Sequence, residues 1–429
     1  MKKEKIKILP ISDHPLSPSG VGTQTKYFVE SLVETGNYKF VCLGGAIKHH
    51  DYNPVKVAPY NDDWIIYPVD GYGDHEKIRS IIRNEKPDVL WFMTDPRFFT
   101  WLWEIEDEIR ALMPMVYYHV WDNYPAPHFN RQFYESNDTI VTISKVTDSI
   151  VSEVAPSVER SYIPHAVDPS VFKPLEDPSD AFKNSTVVRE RVFNCSYEET
   201  KDKLLFFWNN RNARRKQSGT LVWWFKDYLD EFGHDSAALL MHTDPHDQNG
   251  QDLAHLIEHL GLQNGQVMIS NNKISPNDLA SMYNAADCTI NISDAEGFGL
   301  ATLESLSCGT PIITTMTGGL QEQVTDGKNW FGIGIEPCSK AVIGSQQVPY
   351  IYEDRISNDD FLSAMRQFTN MTAAERAALG AAGREHVLQN YSFESFKEKW
   401  VATMDDIVER HGSWQNRKNY TRWRLLEVA

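Results

Sequence analysis

At 429 residues the chain is longer than one hydrophobic core usually supports, so two domains of roughly 200 residues each are expected. Hydrophobic residues at 41% and charged residues at 24% supply apolar mass for two cores and exclude a disordered chain, while a net charge of −17 argues against nucleic acid and anionic membranes as partners. Cys42, Cys195, Cys288, Cys308 and Cys338 are odd in number and lack C-x-x-C spacing, which excludes a disulfide framework and a zinc site and fits a reducing cytoplasm.

The N-terminal MKKEKIKILPISD has a broken apolar run too short for a signal segment, and no stretch approaches the roughly 20 apolar residues of a membrane span. IKILPI reads as a strand, followed by a helix carrying Tyr27, Phe28, Leu32 and Val33, and then by the strand KFVCLGG. Further short apolar runs follow at Val89–Met93, Met115–Tyr118 and Thr139–Ile143, each bounded by breakers, as strands buried on both faces should be. Around residues 164–185 the text PHAVDPSVFKPLEDPSD carries four prolines, which cannot propagate helix or central strand, and the domain linker is placed there. A second αβ series runs from Lys203–Trp208 through a helix at Leu221–Phe232, a strand at Ala237–Met241, a helix at Leu253–Leu260 and a strand at Val267–Ser270. Ser275 and Asp278 then form a variant capping box, and helices close the chain at Thr372–Gln389 and Phe393–Arg410. The expected divisions are 1–168, a linker and start of the second domain over 169–200, 201–395, and returning C-terminal helices over 396–429.

The run NISDAEGFGLATLESLSCGTPIITTMTGGLQEQVTDG places a glycine loop between a strand and a helix that opens near Gly299. First-turn amides lack intrahelical partners and sit at the positive end of the macrodipole, so the amides of Phe298, Gly299 and Leu300 suit a phosphate or sugar oxygen. Glu296 in the loop and Glu304 in the helix can face one site at different depths, where carboxylates accept paired hydrogen bonds from sugar hydroxyls.

Residues 291–327, with E-G-F-G-x-x-x-x-E followed by G-G-x-x-E, resemble the donor-site signature of glycosyltransferase family 4. IPHAVDPSVFKP resembles that family's interdomain passage, and NNRNARRK its basic loop after the first strand of the second domain. The resemblance implies an α/β protein of GT-B architecture: two Rossmann-like domains with parallel sheets facing a cleft, the first binding acceptor, the second binding a nucleotide-sugar, and a C-terminal helix crossing back to the first. It implies that Arg211 and Lys216 hold the diphosphate in place of a metal, that Glu304 holds ribose hydroxyls, that Glu296 binds the donor sugar, and that Gly319 and Leu320 lie beside diphosphate and sugar. Gly22, in the G-x-G turn of SPSGVGTQTKYF, is implied to lie across from the donor phosphates, and His119 to reach toward the donor sugar or else to be a packed neutral histidine.

The implied activity is retaining, metal-independent hexosyl transfer to a hydroxyl of a glycan, lipid or small molecule. It needs no cofactor besides a nucleotide-sugar co-substrate, UDP- or GDP-linked. Ile292 and Gln321 depart from the family by replacing common prolines. Rival readings are glycosylation of a nucleic-acid base, favoured by the basic aromatic tail SWQNRKNYTRWRLL, a nucleotide-sugar epimerase or hydrolase, and a pure binding protein. A nicotinamide dehydrogenase is opposed by Thr25 standing where a third glycine is needed. MHTDPHD carries metal-donor types, but consecutive residues in one loop rarely close a coordination sphere, and it is read as a loop near the nucleotide.

Overall fold

The alternation of apolar runs and helical segments is realised as two parallel sheets in the computed structural model, which describes residues 4–176 and 179–423. The chain divides into two compact units, residues 1–166 with 393–429, and residues 167–392.

In the first unit β1 (Ile6–Asp13), β2 (Tyr38–Gly45), β3 (Val55–Val57), β4 (Asn61–Pro68), β5 (Val89–Met93), β6 (Met115–His119), β7 (Thr139–Thr142) and β8 (Glu159–Tyr162) form one sheet in the order β3-β4-β2-β1-β5-β6-β7-β8. Only the edge pair β3/β4 is antiparallel. The helix Gly20–Val33 starts at Ser19, whose hydroxyl accepts from the Gly22 amide. Phe28 on this helix stacks on Trp91 of β5 at 4.2 Å between ring centroids. The C-terminal helix Phe393–His411 returns to this unit and buries Trp400 edge-on against Phe28 at 4.7 Å and Tyr118 at 5.1 Å. Large aromatic area removed from water, in edge-to-face geometry, is what docks that helix.

Beyond it, the basic aromatic tail is a strap on the same unit. Arg417 pairs with Asp138 at 2.5 Å, Tyr420 donates to Asp107 at 2.8 Å, Arg422 reaches Asp107 at 3.3 Å, and the Trp414 amide donates to Asp88. Arg417 and Arg422 of the tail are thus paired with carboxylates of the first unit; residues 424–429 lie outside the described residues. Asp138 is 3% exposed, so Arg417→Ala strands a buried charge. Arg110 at 3.4 Å partly compensates. The expected loss is about 3 kcal/mol, at the lower end for a broken buried pair, read as a lowered thermal midpoint; an unchanged midpoint would show that the strap contributes nothing.

The second unit holds β9 (Leu204–Asn209), β10 (Ala237–His242), β11 (Val267–Ser270), β12 (Cys288–Asn291), β13 (Ile312–Thr315) and β14 (Ile333–Ile335) in the order β11-β10-β9-β12-β13-β14. A separate antiparallel hairpin follows, β15 (Ser339–Ile343) and β16 (Ile351–Arg355). Phe206, Trp208, Leu239, Met241, Cys288 and Ile290 are buried in one core with the helix Ser218–Phe232. Ser275 caps the helix Pro276–Ala285 and exchanges hydrogen bonds with Asp278.

The proline-rich texture of 164–185 was expected to exclude helix, but Asp180–Phe193 is a helix capped by Ser179 immediately after the last of those prolines. Arg189 of this helix is buried and donates to Thr200, Ala285, Lys203 and Asp287, which ties the segment to the second unit. Proline stops a helix from continuing through it but leaves one free to start just beyond.

Candidate functional site

Strand order in the second unit reverses between β9 and β12: from β9 the chain moves outward to β10 and β11, then returns to place β12 on the other side of β9. Open parallel sheets bind ligands outside the carboxyl ends of the strands at such a point. The loops that leave β9 and β12 meet there. The Asp294 amide donates to the Arg215 carbonyl at 2.8 Å, and the Arg215 guanidinium donates to the Ala295 carbonyl at 2.5 Å. Lys216 Nζ pairs with Glu296 Oε2, and the two side chains are 8% and 12% exposed. A lysine ammonium this far from water persists only with an anion beside it.

Two glycine turns close on each other below this pair. Gly299, at φ +94°, lies in the left-handed region and caps the helix Leu300–Ser307; a Cβ there would sit 2.5 Å from Leu320 Cδ2. A Cβ on Gly319 would sit 2.6 Å from Phe298 Cα. The Gly319 amide donates to the Glu296 carbonyl at 3.1 Å and the Leu320 amide to the Thr317 carbonyl at 3.1 Å. The Gly319 amide therefore ties the second glycine turn to the Glu296 loop. Phe298 is buried with its ring edge-on to Tyr391, and its carbonyl accepts from Gln323 at 2.6 Å. Leu300 is half-buried at the first helical position, where the helix's opening amides have no intrahelical partner.

Glu304 lies further along that helix, half-buried. Tyr283 donates to its carboxylate at 2.8 Å and receives in turn the Asn209 side-chain amide at 2.9 Å. Burial pushes the Glu304 carboxyl up to about 7, against the pull of the Tyr283 hydroxyl. Asn209 and Tyr283 come from the end of β9 and from a distant helix, and no spacing in the sequence announces them.

Arg211 and Lys216 share one loop but have different partners. Arg211 is 66% exposed and forks onto Asp247 at 2.6 and 3.2 Å, which holds the Asp247 carboxyl well below its usual range. Asp247 belongs to MHTDPHD; in the same segment His242 contacts Ser270, and Asp244 accepts from the His246 amide. Among the described residues no three His, Cys, Asp or Glu side chains are grouped to hold a metal ion.

In the first unit, Gly22 packs under the preceding loop, where a Cβ would meet Ser17 Oγ at 2.3 Å and the His14 carbonyl at 2.8 Å. Close backbone approach is sufficient reason for glycine there. His119 is fully buried, its ring between Tyr117 and Tyr134 and its Nε2 2.7 Å from the Tyr134 hydroxyl. Burial lowers its pKa to about 3, so it is neutral. Of the two expectations for this residue, the packed neutral histidine describes its surroundings.

Residues 246–367 match the family model described as glycosyl transferases group 1. D-inositol 3-phosphate glycosyltransferase of Paenarthrobacter aurescens (strain TC1) is 38% identical over 77 residues, a match covering 18% of this chain and 18% of that protein, well under two thirds of its length. Among solved structures, sucrose-phosphate synthase (tll1590) from Thermosynechococcus elongatus aligns with a TM-score of 0.72 at 16% identity, over 94% of this chain and 100% of that one. Anabaena Alr3699/HepE in complex with UDP-glucose aligns with a TM-score of 0.66 at 13% identity, over 94% and 100%. Together with the two parallel sheets and the returning C-terminal helix, these likenesses show the GT-B fold. The chain carries a domain of the glycosyl transferases group 1 family on a GT-B architecture.

Proposed function

We propose that the chain is a retaining, metal-independent glycosyltransferase whose second unit binds a nucleotide-sugar between the loops after β9 and β12. The observation that carries the reading is the buried Lys216–Glu296 pair at the switch point of the sheet, a cation for diphosphate and a carboxylate for sugar hydroxyls held side by side. Glu304, with Tyr283, is the ribose acceptor in this reading. The bond between the sugar's anomeric carbon and the terminal phosphate oxygen breaks. Lys216 and Arg211 stabilise the charge that grows on the departing diphosphate, which is the largest single contribution a protein makes to such a step. The acceptor hydroxyl attacks from the face the diphosphate leaves, and its proton passes to the departing phosphate oxygen. His119, neutral and enclosed by tyrosines, stays outside the reacting groups.

Because the structural neighbour above was solved with UDP-glucose, a uridine-linked hexose is the first donor to supply. The acceptor stays at the level of a hydroxyl compound, whether carbohydrate, lipid-linked or small molecule. The test is turnover of a nucleotide-sugar panel in excess chelator, with the anomeric configuration of the product read by NMR. Retained configuration and undiminished turnover are expected. Loss of turnover restored by Mg²⁺ or Mn²⁺, an inverted product, or no donor consumed would each defeat the proposal.

A further inference from the structure

We infer that Glu353 is a positioning residue for the cationic loop after β9, acting through Arg214. The inference rests on the donor-binding reading of that loop.

Its first support is the connection that carries Glu353. Strand-to-helix connections in α/β units usually run roughly 2–6 residues, and longer ones generally do something. After β13 the next helix begins at Leu320, within that range, whereas after β14 residues 336–357 separate the strand from the helix Asn358–Thr369. This connection folds into the hairpin of β15 and β16, and β16 returns toward the loops of the site. There the Asp354 amide donates to the Asp294 carbonyl at 2.9 Å, and Arg355 pairs with the Asp294 carboxylate.

The second support is the arrangement of charge. Glu353 is 2% exposed, and the Arg214 guanidinium closes on it with two parallel hydrogen bonds of 2.8 and 2.5 Å. Arg355 adds a third at 2.9 Å. Burial pushes the Glu353 carboxyl up, and the two guanidiniums more than offset this, holding it below the ordinary value. Asp294, also buried, accepts from Gln217 at 2.6 Å, so cations and carboxylates alternate as Arg214, Glu353, Arg355 and Asp294 before the line returns to the same loop.

The geometry fixes the residues next to Lys216. The Arg214 amide is held by the Asn249 carbonyl at 2.9 Å while its side chain is held by Glu353, and the turn Arg214–Lys216 continues directly into the helix that starts at Ser218. A fork of two hydrogen bonds sets direction as well as distance. Placement errors of about 1 Å can cost 10²-fold at a reacting centre, which is why a loop of three consecutive cations needs an external anchor.

The experiment compares wild type, Glu353→Gln, Arg214→Lys and the double variant by calorimetric titration with uridine and guanosine diphosphates, with Lys216→Ala alongside and thermal unfolding as the check of fold. Lysine keeps the charge of Arg214 and loses its fork, so a direct charge contact with diphosphate would survive that change and a positioning role would not. Both single variants are expected to weaken the diphosphate at least tenfold with cooperative unfolding retained, and the double variant to be no weaker than the worse single, as for residues acting in series. If Glu353→Gln fails to fold, Arg214→Lys decides: weakened binding upholds the inference and wild-type affinity overturns it. Wild-type affinity in both single variants beside a weakened Lys216→Ala overturns this inference alone. A wild type that binds neither diphosphate overturns it together with the donor-binding reading.

Discussion

Glu296→Gln is expected to bind the free nucleoside diphosphate more tightly than wild type while losing sugar transfer. Glu296 pairs with the Lys216 ammonium, so an arriving diphosphate must displace a carboxylate before it gains the cation. Hydrogen bonds to charged groups are worth about 1.5–3 kcal/mol, so removing the competing charge should raise diphosphate affinity roughly tenfold. Transfer should fall about 10²–10³-fold, because the hydroxyls of the reacting ring lose an ionised acceptor. Calorimetry with the diphosphate and single-turnover assays with the donor separate the two effects. If the glutamine variant weakens the diphosphate instead, Glu296 does not compete for Lys216, and the reading of the pair is wrong.

Glu304→Gln should act in two directions at once. Glu304 in the folded protein titrates near 7 rather than 4.5 because it is buried. A carboxyl whose folded value lies above its unfolded value destabilises the fold when ionised. That penalty is fully present above pH 7 and disappears as pH falls through 7 toward 4.5. From about 1.36 kcal/mol per pH unit of difference it amounts to about 3 kcal/mol at most, so the glutamine variant should be more stable than wild type at pH 8 and equal to it near pH 4. The side-chain amide can still accept the Tyr283 hydroxyl, which preserves the local packing. Nucleotide affinity should drop by about 10–100-fold at pH 8, since ribose hydroxyls lose a charged acceptor. Parallel pH–stability curves for the two proteins would show that Glu304 does not carry its burial as a titratable cost.

The parallel sheets were legible because short apolar runs between breakers leave few arrangements other than strands buried on both faces, and the long amphipathic stretches between them supply the crossover helices. The candidate loops were legible as loops because glycine and charge concentrate in them. What sequence could not carry was who bonds to whom. Gly319 and Leu320 read as neighbours of diphosphate and sugar, and the bonds of their amides to Glu296 and Thr317 show in no spacing. His119 ends its strand as a reacting residue might, yet packing by Tyr117 and Tyr134, invisible in any spacing, encloses it. Asp294, Glu353 and Arg355 escaped notice because each is an ordinary charge in the text and acquires meaning only when β16 brings them against the loop after β9. The helix Asp180–Phe193 was hidden by the prolines before it, and its buried Arg189 finds partners up to 98 positions away.

The central claim, that diphosphate and ribose are held between the loops after β9 and β12, is tested most directly by a crystal structure with a nucleoside diphosphate bound. The account predicts phosphate oxygens on Lys216 Nζ, with that ammonium withdrawn from Glu296, and ribose hydroxyls on the Glu304 carboxylate beside Tyr283. Nucleotide bound elsewhere on the chain, or bound with the Lys216–Glu296 pair intact and Glu304 untouched, would contradict it.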